Sequence, residues 1–351
     1  MNGFLARVVT RFGIFGLVLS LVGAPILFGC DITKVTANGT SKLFVRAAPG
    51  LQEHWDYELA GDALPGNIVQ MEGLLRVVPE NEILVTNAIK LYTAYAYGWI
   101  EDRVEELQAQ NDYAAAEVQL TRARYMYMRA RDLAKHLIAL EHEGFDEAYQ
   151  GGLEDFERWL DTEFEDDEPE DAAGIFFAGY AWASYINASK SDMVAVADLP
   201  FAVALVERSV EIDPTFFNGS GTVLLAVVAT SAPGAQIEDA EPAWERAMEV
   251  TEGRNLLVKV NMARTLAVKK QDREMYIRLL TEVLEAGDIN PEARLQNMIA
   301  KRRAARYLTQ VDQRIPPVVT APAPAPTEEA EPETDEADEA EADAEDAAAE
   351  G

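Results

Sequence analysis

Apolar residues recur along most of the chain at the spacing of an α-helix. From Leu84 one stripe runs through Ala88, Leu91, Tyr95 and Gly98 in steps of four and three residues. Such steps place residues on one face of a helix, and no convincing run of alternating β-branched residues appears between residues 47 and 313. The pattern therefore predicts an all-α body. A second stripe runs through Ala123, Met126, Ala130, Leu133, Leu137 and Leu140.

Two stretches of this body repeat each other. Residues 207–212 read ERSVEI, residues 245–250 read ERAMEV 38 positions later, and a weaker copy follows after 33 more. Offsets of 38 and 33 residues bracket the 34-residue period of tetratricopeptide repeats, which are stacked pairs of helices. We therefore expect a tetratricopeptide-like superhelix of paired helices with a concave face, spanning residues 47–313. One stretch has the spacing of the second helix of a tetratricopeptide repeat, in which a small residue allows close packing and a proline ends the helix. The residues at these positions are Ala202, Val206, Ser209 and Pro214.

The N-terminal segment has the features of a bacterial secretion signal. Arg7 and Arg11 precede an interrupted apolar stretch that ends just before the sole cysteine, Cys30. The sequence before Cys30 resembles the lipobox of bacterial lipoproteins, in which the signal is cut before a cysteine that then carries lipid. We expect residues 1–29 to be removed, Cys30 to be lipidated and residues 30–46 to form a lipid-anchored linker. The membrane to which it is attached, inner or outer, stays open.

The C-terminal segment, residues 314–351, has the composition of a disordered tail. From residue 315 onward it contains 13 acidic residues, no Lys or Arg, and an APAPAP run. Such a segment buries too little apolar surface to offset its ordering entropy. Two roles remain open for it, a solvating extension and a segment that docks on a basic partner.

Composition excludes several classes of protein. The 351 residues carry a net charge of −31, which argues against nucleic-acid binding. One Cys and three His do not supply a zinc site by the usual spacing, and no catalytic triad, nucleophile elbow or phosphate loop is present. We therefore expect no cofactor, no metal and no enzymatic activity.

Basic residues concentrate near the end of the helical body. Residues 254–306 hold 12 Lys and Arg against six Asp and Glu in a chain that is otherwise acidic. A polarised surface of this kind orients an incoming partner or a second copy of the chain. The alternative is the exposed face of a terminal capping helix. The candidate partner or oligomer surface consists of Lys301, Arg302, Arg303 and Arg306.

Aromatic residues cluster on three predicted helices. Most such residues fill the core of a helical protein, because rings at i, i+3 and i+4 pack between helices. Their number here also suits a groove or channel for an apolar ligand. The candidate channel residues are Tyr92, Tyr95, Trp99, Tyr125, Tyr127, Phe177, Tyr180 and Trp182.

Several motifs resemble those of one family. Residues 123–132, ARYMYMRARD, resemble the ARxLYxRARDY stretch of TRAP-transporter T-components (TatT), where TRAP stands for tripartite ATP-independent periplasmic. Further similar motifs lie at 177–183, 197–200, 207–214, 255–260 and 271–274, so the likeness covers about residues 50 to 310. The acidic stretch 161–171 and the tail depart from the family pattern.

The resemblance implies a periplasm-facing, lipid-anchored helical protein. It also implies that this protein partners the solute-binding protein of a TRAP transporter, forms a homo-oligomer with a trimer as the candidate state, and carries a channel for a hydrophobic solute through each protomer. Two other hypotheses remain, a general repeat scaffold for envelope assembly and a hydrophobic-ligand carrier.

Overall fold

The computed structural model describes residues 32–164 and 171–317, and within them every regular element is a helix. The all-α repeat class expected from the apolar periodicity is confirmed. The expected signal peptide, Cys30, the tail from residue 318 and residues 165–170 of the acidic stretch lie outside the described residues. The helices are α1 (Ile32–Gln52), α2 (Tyr57–Leu75), α3 (Glu82–Tyr95), α4 (Glu101–Ala109), α5 (Tyr113–Glu141), α6 (Phe145–Gly151), α7 (Leu153–Glu163), α8 (Asp171–Ala188), α9 (Met193–Ala197), α10 (Leu199–Ile212), α11 (Phe216–Ser231), α12 (Ile237–Val250), α13 (Leu256–Met262), α14 (Val268–Lys270), α15 (Arg273–Glu285), α16 (Arg294–Thr309) and α17 (Val311–Arg314).

Helix starts coincide with polar residues that cap free backbone amides. The side chain of Asn81 accepts from the amide of Leu84 at the start of α3, and Asp112 accepts from Ala115 at the start of α5. A cap of this kind stabilises a helix by about 1 kcal/mol, because it pairs one of the first four N–H groups. The capping residues in the sequence therefore mark where these helices begin. Asp56, Asp192, Asn255 and Asp272 cap other helices in the same way.

Small residues permit a close helix contact between α8 and α10. A Cβ added at Gly179 would lie 2.8 Å from the carbonyl oxygen of Ala202 and 2.6 Å from Cγ2 of Val206. Ala202, Val206 and Ser209 are all buried, and Ser209 Oγ donates to the carbonyl oxygen of Ala172 at 2.9 Å. The tetratricopeptide-like spacing read from the sequence therefore marks a real packing seam.

The last long helix returns to the first part of the body. Arg294 on α16 donates to the carbonyl oxygen of Glu53 at 2.7 Å, and a Cβ added at Gly98 would lie 3.0 Å from Ile299. These residues are about 200 positions or more apart in sequence. The helical stack thus closes through contacts between its two ends.

Both ends of the body extend beyond the predicted limits. Residues expected to be a linker, 30–46, are helical from Ile32 onward and belong to α1. At the other end α17 runs to Arg314, and the next residue, Ile315, is buried and accepts a hydrogen bond from Arg273 at 2.8 Å. Residues 314 and 315 therefore belong to the body rather than to the tail, because Ile315 fills an apolar site against α15 and α16.

Candidate functional site

The helix that carries the ARYMYMRARD motif, α5, presents its two faces to different surroundings. Ala123, Tyr127 and Ala130 are fully buried. Tyr125 lies two positions after Ala123 and two before Tyr127, and it is 64% exposed. A helical period of 3.6 residues separates these positions onto opposite faces. One motif therefore supplies both core contacts and an exposed surface.

The exposed face borders an open groove between α3 and α5, which we call the α3–α5 groove. Its volume is about 440 Å³. Val118 is 67% exposed beside Tyr125, so apolar side chains lie at its rim. A volume of this size lies within the range of small-molecule sites, about 300 to 1,000 Å³. The groove is lined by Tyr92, Val118, Thr121, Arg122, Tyr125, Met126 and Arg129.

Two of the lining residues are fixed by an acid on α2. Arg129 contacts both carboxylate oxygens of Glu72, with Nε to Oε1 at 2.7 Å and Nη2 to Oε2 at 2.9 Å, and the Tyr92 hydroxyl donates to Oε1 at 2.9 Å. The hydrogen bonds from Arg129 lower the pKa of Glu72, whereas burial and the acceptor Glu72 raise the pKa of Tyr92 to about 12. Glu72 is thus ionised at neutral pH and holds this wall of the groove in place.

Behind α5 lies a buried cluster of polar and aromatic groups. The Tyr127 hydroxyl donates to Glu101 Oε1 at 2.8 Å, and Arg303 Nη2 lies 3.6 Å from Glu101 Oε2. Burial raises the pKa of Glu101 despite the opposing charge of Arg303. Tyr180, from α8, is half-buried and lies within electrostatic reach of Glu101 and Tyr127. This inner cluster joins helices from both halves of the body.

A π turn at Ala96–Ile100 explains how Arg303 is accommodated. Such a turn interrupts the regular ladder of helix hydrogen bonds. The carbonyl oxygen of Tyr97 accepts from Arg303 Nη2 at 2.7 Å, and that of Gly98 accepts from the Tyr57 hydroxyl at 2.7 Å. The guanidinium also lies 4.0 Å from the centre of the Tyr97 ring. The π turn therefore provides a hydrogen-bond acceptor for the buried guanidinium group of Arg303.

The eight aromatic candidates do not form one surface. Tyr127, Phe177 and Trp182 are buried core residues. Trp182 stacks 6.3 Å from Phe201, and Lys135 Nζ lies 4.0 Å from its ring. Phe177 packs on Phe176 at 5.0 Å between ring centres. These three rings lie in the core and stabilise the packing between helices.

The other candidates are partly or largely exposed and lie in separate places. Tyr92 and Tyr125 line the α3–α5 groove, and Tyr180 belongs to the inner cluster. Trp99 donates from Nε1 to the carbonyl oxygen of Tyr57 at 3.2 Å and stacks 6.1 Å from Tyr95. Helical spacing alone does not tell which face of α3 meets a neighbour, so it grouped residues that lie on different faces.

The basic residues of α16 require a correction. Arg303 is buried, with 1% of its side chain exposed, and the Arg306 side chain is 11% exposed. Arg306 donates to Asp102 Oδ1 at 2.6 Å and also pairs with Glu105, while Lys301 donates to the carbonyl oxygen of Ala286. Arg303 is therefore not a surface residue, and Arg306 faces inward, because α4 supplies the acids that pair with them.

Arg302 stays partly exposed but has internal partners as well. Its Nε donates to Asp102 Oδ2 at 2.7 Å and its Nη2 to Glu106 Oε1 at 2.6 Å. Sequence reasoning missed the role of these acids on α4. The signal that would have found them is the run of acidic residues in EDRVEE at 101–106, whose sign complements KRRAAR at 301–306. We name the contacts of Arg302, Arg303 and Arg306 with α4 and the π turn the α4–α16 clasp.

Neither the groove nor the inner cluster presents the residues of a metal centre. In the part of the chain that the structure describes, no three His, Cys, Asp or Glu side chains are grouped so as to hold a metal ion. Over the same residues, the helices are all too short or too polar to cross a bilayer. The arrangement offers an aromatic groove, fixed on one side by Glu72, on a closed helical scaffold.

Comparison with known proteins assigns this scaffold to a family. The sequence model of the TRAP transporter T-component matches residues 53–314, about three quarters of the chain. The chain belongs to the TRAP transporter T-component family. The resemblance carried by residues 123–132 is thereby confirmed. In the comparison with curated proteins, none matches this T-component.

The matched range includes both the α3–α5 groove and the α4–α16 clasp. It begins at residue 53, after α1, and ends at Arg314, the last residue of α17. As a T-component, the protein has a role in TRAP transport and is associated with that membrane transport system. Helix α1 and the acidic tail lie outside the match.

Proposed function

We propose that this T-component is a periplasm-facing lipoprotein that associates with the solute-binding protein of a TRAP transporter and assists solute uptake without catalysing a reaction. The family match over 53–314 supports the transport role. The signal-like N terminus that ends at Cys30 supports lipidation and export. The observation that carries the proposal is the family-like motif at residues 123–132 on α5, which also presents the exposed Tyr125.

We assign the α3–α5 groove as the contact surface for the solute-binding protein. Tyr125 and Val118 keep about two thirds of their surface exposed, and both lie on the motif helix. An exposed aromatic next to an arginine is typical of the residues that dominate protein interfaces. The basic residues of α16 are not used for this purpose, because their charges are paired within the chain.

The groove also favours a second candidate function, a carrier of hydrophobic ligands. Tyr92, Tyr125, Met126 and Val118 give it an apolar lining of a size suited to a small molecule. In this case native mass spectrometry of the purified protein detects a bound apolar molecule. The two functions are compatible if the solute passes between the solute-binding protein and the groove.

The test is co-purification of the solute-binding protein of a TRAP transporter with this T-component from the native cell envelope. Tyr125→Asp and Val118→Asp each place a charge at the rim, and we expect at least a tenfold loss of recovered partner. The matched control is Val194→Asp, because Val194 is 80% exposed on α9 and does not line the α3–α5 groove. Equal recovery for the rim variants and the control would contradict the groove as the contact surface. Absence of the solute-binding protein from all preparations would contradict the proposed function itself.

A further inference from the structure

Helix α1 combines a packed face with a face that meets no other part of the described chain. Its inward stripe, spaced by four and three residues, packs against α3 and α16. Asn81, the cap of α3, fixes α1 by donating to Asn38 Oδ1 at 2.7 Å. The helix is thus held firmly to the body. The residues of the inward stripe are Ala37, Ser41, Phe44, Ala48 and Leu51.

The opposite face mixes apolar and basic side chains. Val35 is 62% and Leu43 is 65% exposed, and Lys42 and Arg46 lie on the same side of the helix within about 20° of Val35. Within the described residues, neither Lys42 nor Arg46 forms an ion pair. We call Val35, Lys42, Leu43 and Arg46 the outer face of α1. Exposed apolar groups beside long basic side chains are the pattern of a helix that lies in a membrane interface.

The charge of α1 is opposite to that of the chain as a whole. Its 21 residues include two Lys and one Arg and no Asp or Glu, while the whole chain has 61 acidic residues. The net charge of −31 would repel an anionic bilayer. Helix α1, which is free of acids and stands between the N terminus and the acidic body, is therefore a segment that an anionic surface does not repel.

We infer that the outer face of α1 lies on the surface of an anionic lipid bilayer and fixes the orientation of the body against the membrane. The inference rests on the proposed lipid anchor, because Cys30 precedes the first residue of α1 by two positions. A lipid anchor at Cys30 holds the chain at the membrane without fixing the orientation of the body, and the basic and apolar outer face supplies a second contact that does so. With a rise of about 1.5 Å per residue, Leu43 lies about 12 Å along the helix from Val35. An upright helix would leave Leu43 in water, and a helix lying flat brings both residues to the interface.

The test measures the depth of a spin label in nanodiscs that contain the full chain expressed with its signal. Cys30 is the only cysteine, so Leu43→Cys or Val35→Cys gives one labelling site once Cys30 is acylated, which mass spectrometry verifies. Val194→Cys is the matched exposed control on α9. In discs with anionic phosphatidylglycerol we expect labels at 35 and 43 to collide more with oxygen than with a water-soluble nickel complex. The label at 194 is expected to show the reverse.

A charge-neutral variant tests the role of the basic residues. Lys42→Gln with Arg46→Gln should reduce the ratio of surface-bound to free α1 about 25-fold, at about fivefold for each basic residue. Discs made only of zwitterionic lipids should also reduce the ratio of surface-bound to free α1. A label at 43 that is as accessible to water as the label at 194 in anionic discs would overturn the inference. Shielding at 43 that persists for Cys30→Ser in buffer without lipid or detergent would also overturn it, because a protein contact or a second copy would then cover the face.

Failure of the lipid anchor gives a different result from failure of this surface. An unmodified Cys30 in the mass spectrum contradicts the anchor. The depth of the label at residue 43 is then compared between anionic and zwitterionic discs in the Cys30→Ser variant. This comparison reports the contact of α1 with the bilayer without any contribution from a lipid on Cys30. A difference supports the bilayer contact, and equal depth in the two discs contradicts it.

Discussion

The strongest structural prediction concerns Asp102, the acid at the centre of the α4–α16 clasp. Its side chain is 3% exposed and accepts from Arg302 Nε at 2.7 Å and from Arg306 Nη1 at 2.6 Å. Asp102→Asn keeps the shape but removes the charge, and its new NH2 group offers donors where two guanidinium groups already donate. The change therefore leaves two cations at this site without their shared carboxylate.

The magnitude follows from the exposure of the two arginines. Removing one member of a buried ion pair costs about 3 to 5 kcal/mol. The Arg302 side chain is 38% exposed and regains water, and Arg306 keeps its contact with Glu105. We therefore expect the lower end, a loss of about 3 kcal/mol in the free energy of unfolding. At about 2 to 4 °C per kcal/mol for chains of this size class, Tm falls by roughly 6 to 12 °C.

The assay is denaturant unfolding of the parent chain, Asp102→Asn, Arg306→Ala and the double variant. The two single effects should not add, because both groups belong to one network. Glu154→Gln on α7 is the control, since its pair with Arg158 is exposed on both sides and should give no measurable change. Asp102→Asn with the stability of the parent would refute the reasoning that a buried ionic network joins the two ends of the body.

Two further predictions test packing and charge. Gly179→Ala should destabilise by about 1 to 3 kcal/mol, because its Cβ would lie 2.8 Å from a backbone carbonyl of α10. Gly174→Ala on the same helix meets nothing within 4 Å and should stabilise by about 0.5 to 1 kcal/mol in the same unfolding assay. Burial alone would raise the pKa of Glu105, but nearby arginines including Arg306 hold it below the usual 4.5, so its stabilisation is present above pH 4.5 and is lost as pH falls further. When the free energy of unfolding is measured against pH, Glu105→Gln should remove this part of the stability that is lost in acid. Glu101→Gln should cost less stability at pH 7, because burial raises the pKa of Glu101. Equal costs for the two glutamates, or equal effects at the two glycines, would contradict these assignments.

The sequence was sufficient for the fold because local rules and packing agree. Asn81 and Asp112 stand where helices start, and Ala202 and Gly179 stand where helices approach closely. Caps and small residues act within one or two turns, so they are visible in one dimension. The extent of α1 was missed because Asn38 and Gly39 are weak helix formers, and its stability comes from packing on α3.

The sites were harder to predict, since they depend on which face of a helix meets a distant one. The stripe through Tyr95 is visible in sequence, but the division of Tyr125 and Tyr127 between an open groove and the core is set by α3 and α4. In the same way, Arg303 looks like a surface residue until the acids of α4, about 200 positions away, are placed beside it. Charge complementarity between separated segments was the available signal.

The central claim is that this T-component contacts the solute-binding protein of a TRAP transporter through the α3–α5 groove. The most direct measurement places a photo-crosslinking amino acid at Tyr125 in the native cell envelope, with Val194 as the control position, and identifies the captured proteins by mass spectrometry. We predict that the solute-binding protein is the main product at 125 and is absent at 194. Capture of unrelated envelope proteins at 125, or of the solute-binding protein equally at both positions, would contradict the claim.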